Sequence, residues 1–526
     1  MRNRKKGLTV LLSTLVASAM IFSACSGGGS GDGGTKPADN GSGTANSSGL
    51  KPYEVVMVYP DGTQRDLAKV QEAMNQHLKA AYPQLNMTVK LNPIDWGAWG
   101  DKTNLMFASS EKFDTLFTAA WLGYDSQVNR GALLPLDDLL KKHGEDIEKV
   151  EKDFHSGAMR NGKLYGIHTH QELGGMQGIV VRKDLAEKYN MDLNALAKSK
   201  KLEDLEPLLK TIKENEPGVT PIVGVPLPLE TLFKSGKMEM PVEPVGIQLS
   251  KKDFKVVTMY ETDEYMEMAR LTHKWFNLGY INKDASTSIQ TNIDGWARLK
   301  TKSAFAIAGA DMEIIKDNEN ASLMPSRSKQ VGMGVIQIPL HTDPLRSNKL
   351  AGTMQAISKT SKDPERAMML INLFYKDAKL LSLFNYGIEG THYVLKDGQV
   401  ELPEGKTTDN VGFYHDVQWQ IGNQMLNYTR VGEDPKKYDN YAEFNKKVSA
   451  DPSPILGFVF NSEPVKSELV SIENVRKQYD PGINSGTLNP DVEVPKLIAK
   501  LKAAGVDKVV AEMQKQLDEW RQANGK

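Results

Sequence analysis

The 526-residue chain carries 65 Lys and Arg against 66 Asp and Glu, a formal net charge of −1, so no net field draws it to nucleic acid or to an anionic membrane surface. Its hydrophobic content of 40% fits a soluble globular protein, and its single cysteine excludes an internal disulfide. Beyond the amino-terminal region no apolar run reaches membrane-spanning length, so the folded part is expected outside the bilayer.

Arg2, Arg4, Lys5 and Lys6 precede an apolar run from Leu8 to Phe22, too short for a permanent spanning helix and laid out as an export signal. Ser23, Ala24 and Cys25 follow. This arrangement resembles a bacterial lipobox, whose cysteine is lipidated and becomes amino-terminal after cleavage at residue 24, although Phe22 stands where Leu is usual. An ordinary signal peptide with an incidental cysteine is the alternative. Acyl chains on Cys25 would hold at roughly 0.8 kcal/mol per buried methylene. Residues 26–50 contain almost nothing apolar and read as a flexible tether, giving a lipidated cysteine and tether over 25–51. The remaining stretch, about 475 residues, is too long for one core and predicts two lobes.

Tyr53–Tyr59 reads as a buried strand ending at the turn Pro60-Asp61-Gly62, and Asp66–Ala81 carries a helical stripe through Leu67, Val70, Met74 and Leu78. Asn86–Leu91 alternates as a strand, a helix begins near Trp99, and Phe113–Phe117 is a third strand. Strand and helix in alternation predict a parallel α/β sheet, whose ligands bind beyond the carboxyl ends of the strands. Further on, Gly162–Ile167 resembles a hairpin and Gly178–Arg182 a strand leading into a helix. Helical stripes cover Leu193–Glu214, Asp263–Leu278 and Asp363–Asp377, with strands at Lys302–Ala308 and Val331–Ile338. From Asn489 the chain reads as a helical tail with Leu497, Leu501, Val509 and Met513 on its apolar face. No internal repeat is present.

These landmarks resemble the extracellular solute-binding proteins of bacterial carbohydrate ABC importers. The likeness runs, in the family's order, through FDTLFTAAW (113–121), GALLPLDDLL (131–140), NGKLYGI (161–167), GIVVRKDL (178–185), KSAFAIAG (302–309) and SKDPERAMMLINLFY (361–375). Residues 457–490 and 501–520 are similar to a carboxyl-terminal domain of uncharacterised function that marks large Gram-positive lipoproteins, here about 395–526. The resemblance implies an α/β, two-lobe, periplasmic-binding-protein-like fold with hinge crossings and a helical carboxyl-terminal extension. It implies a first lobe of 52–170 plus 302–352 and a second of 171–301 plus 353–526. Gln171–Gly175 and Ala351–Met354 are then candidate hinges, where glycine absorbs a change in φ and ψ. The expected function is capture of an oligosaccharide and delivery to the membrane permease subunits of an importer. The protein is expected to be a monomer, held to the membrane by its lipid alone.

A sugar offers hydroxyls at its rim and polarised C–H groups on its faces, so a site needs flat aromatic rings and short polar groups. Trp96, Trp99 and Trp121 fall just past expected strand ends, with Tyr124 nearby and Asp95 and Asp125 placed to accept hydroxyl hydrogens. Trp99 can equally pack in the core. His168, His170, Gln171 and Glu172 gather at the first crossing; zinc ligation is the alternative there, but the spacing matches no recognised zinc pattern. Trp296, Glu313, Tyr386, His392 and Tyr393 are weaker candidates from the second half, and Trp419 and Trp520 read as packing. No calcium loop of the D-x-[DN]-x-[DN]-G type occurs, so no metal or cofactor is expected. Two rivals remain: a secreted glycan-cleaving enzyme and an oligopeptide-binding lipoprotein. The chain has no G-x-S-x-G, H-E-x-x-H or P-loop motif.

Overall fold

In a computed structural model the described residues are 49–223, 232–234, 236–251, 253–287, 292–415 and 417–525. The expected signal peptide, Cys25 and most of the tether lie outside them. Two five-stranded sheets organise the described chain. In the first, Tyr53–Pro60 pairs in parallel with Met87–Ile94 on one side and Thr115–Thr118 on the other. Met354–Ile357 and then Ile167–His168 extend it antiparallel. The helix Leu67–Ala81 lays Val70, Met74 and Leu78 on this sheet, as its apolar stripe predicts. All three parallel strands end on one edge, at Pro60, Ile94 and Thr118.

The second sheet runs in the order Ser322–Leu323, Val335–Thr342, Met176–Arg182, Ala304–Asp311 and Thr220–Val223. Its central strand is buried on both faces: Ile179 and Val181 enter one core, Met176 and Val180 another. A strand buried on both sides has no polar alternation, which is why this segment reads as a continuous apolar run. The carboxyl-terminal helices Lys466–Asn484, Pro490–Ala503 and Val506–Ala523 add Ile472, Leu497, Leu501, Val509, Met513 and Leu517 to the first of those cores. The helix Lys437–Ala450 adds Phe444 and Val448 to the other.

Strand pairing corrects the expected division of the chain. Ala304–Asp311 and Val335–Thr342, assigned above to the first lobe, flank Met176–Arg182 in the second sheet. Met354–Ile357 and the helices Pro364–Leu373 and Ala378–Tyr386, assigned to the second, belong to the first sheet and its core. Residues 169–175 and 343–353 link the two sheets, at the positions of the expected hinges, but the chain passes from the second sheet to the first at the later one. Sheet membership depends on hydrogen bonds between strands more than 100 residues apart, and no local pattern encodes it. Buried amides stitch the two crossings together. Gln171 donates to Thr353 Oγ1 at 2.7 Å, Gln424 donates to Gln171 Oε1 at 2.9 Å, and Thr169 N donates to Thr353 O at 3.0 Å. Gly174 is required by close approach: a Cβ there would lie 3.0 Å from Asp343 O and from Val448 Cγ1.

Candidate functional site

Immediately past the ends of the parallel strands, three indoles form a row. Trp96 lies 6.0 Å from Trp121 and 6.0 Å from Trp419, centroid to centroid, with planes inclined by 21° and 23°. Phe117, on the strand beneath, meets all three edge-on at 5.6–6.5 Å and fixes their common tilt. Asp95 caps the turn that presents Trp96, accepting from Gly97 N at 2.9 Å. Trp121 donates its Nε1–H to Gly352 O at 2.7 Å, which ties the row to the second crossing. The rings are open to solvent, Trp121 at 58% and Trp96 at 39%. Large apolar groups so exposed and so clustered make this row a candidate binding surface.

A hollow of about 690 Å³ lies between the two sheets. Glu172, Gly174 and Gly175 line it from the first crossing and Lys349 from the second. Asp311, Glu313, Arg327 and Gln330 line it from the second sheet's side, and Tyr414 and Arg430 from the long loop following the helix Ala378–Tyr386. That loop is held to the first sheet by Gln64, which accepts from Tyr414 N at 3.0 Å and donates to Tyr414 O at 3.2 Å. Glu172 pairs with Lys349 at 3.0 Å and Glu433 with Lys437 at 2.9 Å. Glu313 accepts from Arg327 N at 2.8 Å at the start of the helix Pro325–Val331, and burial raises its pKa.

The expected site residues therefore divide. Trp96, Trp121 and Asp95 stand on the exposed row, and Glu172 lines the hollow. Trp99 and Tyr124 are core: Trp99 is 3% exposed, and Tyr124 is fully buried with its hydroxyl donating to Ala158 O at 2.5 Å. Asp125 is exposed and paired with Arg160. His168 is fully buried beside Glu151 at 2.9 Å, and His170 approaches the same carboxylate at 2.6 Å. Burial raises the Glu151 pKa, but the two imidazoles outweigh it and hold it below the ordinary range. The pair thus anchors the root of the crossing. Trp296 packs behind Arg327, whose guanidinium lies 5.1 Å from its ring centre. Tyr386, His392 and Tyr393 are buried at 4%, 2% and 2%. Trp419, read from sequence as packing, does pack on the first core and also ends the indole row, and Trp520 packs against Phe458 at 5.8 Å. Trp419 sits on the single 3-10 turn Gln418–Gln420, too short to show periodicity, so only its residue type could have signalled it. Arg327, Arg430 and Tyr414 were also missed.

A sequence profile of bacterial extracellular solute-binding proteins matches residues 61–379, and a domain of unknown function (DUF3502) matches residues 454–522. A carbohydrate ABC transporter substrate-binding protein of Streptococcus pneumoniae serotype 4 is 30% identical over 90% of this chain and 92% of its own length. Lipoprotein LipO of Bacillus subtilis is 22% identical over 61% of this chain and 64% of its own. Among solved structures, the N-glycan transport solute binding protein (NgtS) from Streptococcus pneumoniae superposes with a TM-score of 0.74 at 27% identity, covering 90% of this chain and 99% of that one. Its complexes with Man1GlcNAc and Man5GlcNAc superpose at 0.66 and 0.64, with 27% and 28% identity over 90% of this chain and 100% and 99% of theirs.

Proposed function

The chain belongs to the bacterial extracellular solute-binding proteins, and from that premise we propose that it is the cell-surface capture subunit of an ATP-driven importer, holding a neutral oligosaccharide between its two lobes. The observation that carries this reading is the row of Trp121, Trp96 and Trp419 just past the ends of the parallel strands, in which Trp121 and Trp96 stand exposed. Indole faces pack against the polarised C–H groups of a pyranose, while carboxylates and guanidinium groups nearby bind its rim hydroxyls. Five carboxylates and four cations line the hollow, a balance that suits an uncharged sugar. The streptococcal N-glycan transport protein, solved with mannose- and GlcNAc-containing ligands, puts that class first among the candidates.

The mechanism is a population shift. A sugar touching both lobes binds the closed arrangement more tightly, and only that difference in affinity drives closure. The permease then recognises the closed shape. No covalent chemistry is needed, so the sugar is handed over intact. Lipidation of Cys25 would hold the protein at the outer face of the membrane, with residues 26–50 as leash. Changing Cys25→Ala is expected to release the protein into the medium, as read by fractionation of expressing cells.

The test is a thermal-shift screen of the purified folded part against an oligosaccharide panel that includes mannose- and GlcNAc-containing sugars. At least one sugar is expected to raise the melting temperature and to be recovered unshortened. A panel without any shift would overturn the reading, and a shortened sugar would favour a glycan-cleaving enzyme.

A further inference from the structure

The cleft continues beyond the hollow described above. A second hollow of about 910 Å³ adjoins it, and Ser326, Gln330, Tyr414, Arg430 and Glu433 line both. One wall of the second hollow is the helix Pro325–Val331, which contributes Ser326, Lys329 and Gln330. The opposite wall comes from the hairpin Val394–Lys396 and Gln399–Glu401 with the loop after it. There Val394, Leu402 and Pro403 give an apolar face backed by the buried Val400, and Glu401, Glu404 and Lys406 supply polar heads.

This wall is built into the fold. Val400 N donates to Thr429 O at 2.8 Å, and Val431 N donates back to Val400 O at 2.9 Å. Gln399 Nε2 donates to Thr429 Oγ1 at 2.9 Å and to Arg430 O at 3.1 Å. The junction between the hollows is equally fixed: the Arg430 guanidinium lies 4.7 Å from the Tyr414 ring centre and 5.4 Å from that of Tyr386, and Arg430 N donates to Glu433 at 2.8 Å. Each hollow alone has the volume that holds a whole small ligand, about 300–1,000 Å³. A disaccharide therefore leaves one of them empty.

Resting on the carbohydrate reading above, we propose that the second hollow is an extension subsite, and that the ligand is an oligosaccharide long enough to pass the Tyr414–Arg430 junction and fill both. The apolar wall packs against sugar C–H faces in the distal part. Glu401, Glu404 and Lys406 bind its hydroxyls, and the junction orients the unit between.

Titration calorimetry with a homologous series built on the sugar that the thermal screen selects tests this. The wild-type protein is expected to bind a member of about five units at least about tenfold more tightly than the disaccharide, since filling the second hollow adds contacts. The double variant Glu401→Ala/Lys406→Ala, and separately Glu404→Trp at an exposed position on the same wall, are expected to lower affinity for the long sugar about fivefold or more while leaving the disaccharide within about twofold. Equal losses at both lengths in variants of unchanged melting temperature would overturn the subsite, and so would no gain with length in the wild type. Binding of no sugar at any length would overturn the carbohydrate reading together with it.

Discussion

Trp121 has the most to lose among the site residues, because its face is open, its edge is fixed to Gly352 and its neighbour Trp96 is already covered by two rings. Trp121→Ala is expected to weaken sugar binding by about tenfold or more and leave the melting temperature nearly unchanged, since an exposed ring adds little to the core. Calorimetric titration checks it, and unchanged affinity would remove Trp121 from the site. A second residue is marked by its charge. Asp343 lies at the second crossing, where its N–H donates to Gly175 O at 2.8 Å. Burial pushes its pKa up to about 6 against the opposing pull of Arg346, with Asp311 adding to the rise and Lys349 opposing it. A carboxyl whose folded pKa is raised binds its proton more tightly in the folded state, so its contribution to stability falls as pH climbs from about 4 to about 6. Asp343→Asn is expected to stabilise the protein by about 1–3 kcal/mol near pH 7.5, with the difference vanishing near pH 4. Denaturant titration at the two pH values reads it. Sequence placed Trp96 and Trp121 correctly beyond their strands. It could not show that Trp99 and Tyr124, a few residues further along, turn into the core, because the orientation of a helix on its sheet is set by packing.

Among the elements, the carboxyl-terminal helices are part of the second sheet's core and no appendage. The 3.6-residue spacing of Leu497, Leu501, Val509 and Met513 showed the buried face of two of them, and all four side chains are 1% exposed or less. Leu501→Ala is expected to cost about 2–5 kcal/mol through the cavity it leaves. A loss below about 1 kcal/mol in denaturant unfolding would show that these helices dock loosely. Two element boundaries went differently from the pattern. The stripe over Leu193–Glu214 breaks into helices Leu193–Ser199 and Glu206–Asn215, with Lys200 left-handed at φ 56° between them. Val331 closes the helix Pro325–Val331 instead of opening a strand, because Gly332 at φ 76° supplies a left-handed cap and the strand begins at Val335. In both cases apolar spacing continued across a turn that a single left-handed residue makes.

At the scale of the molecule, two sheets are joined by crossings at 169–175 and 343–353, and the chain returns to the second sheet's cores before Lys437; the proposed closure is a hinge motion at such crossings. The chain superposes more closely on the streptococcal structure for which no sugar is named than on either sugar complex. Small-angle scattering is expected to show a smaller radius of gyration when a saturating sugar is added, and a constant radius would rule out closure as the signal to the permease. Local patterns along the chain were enough for the α/β class, the three parallel strands, the first crossing near residue 171 and the exposed tryptophans after strand ends. Each of these rests on local spacing or on the chemistry of a few adjacent residues. The tertiary fold was needed to show which sheet Ala304–Asp311 and Val335–Thr342 join, that Trp419 ends the indole row, and that Tyr414 and Arg430 line both hollows. Those facts depend on pairings and contacts between residues far apart in the chain, whose free energy exists only once the fold has brought them together.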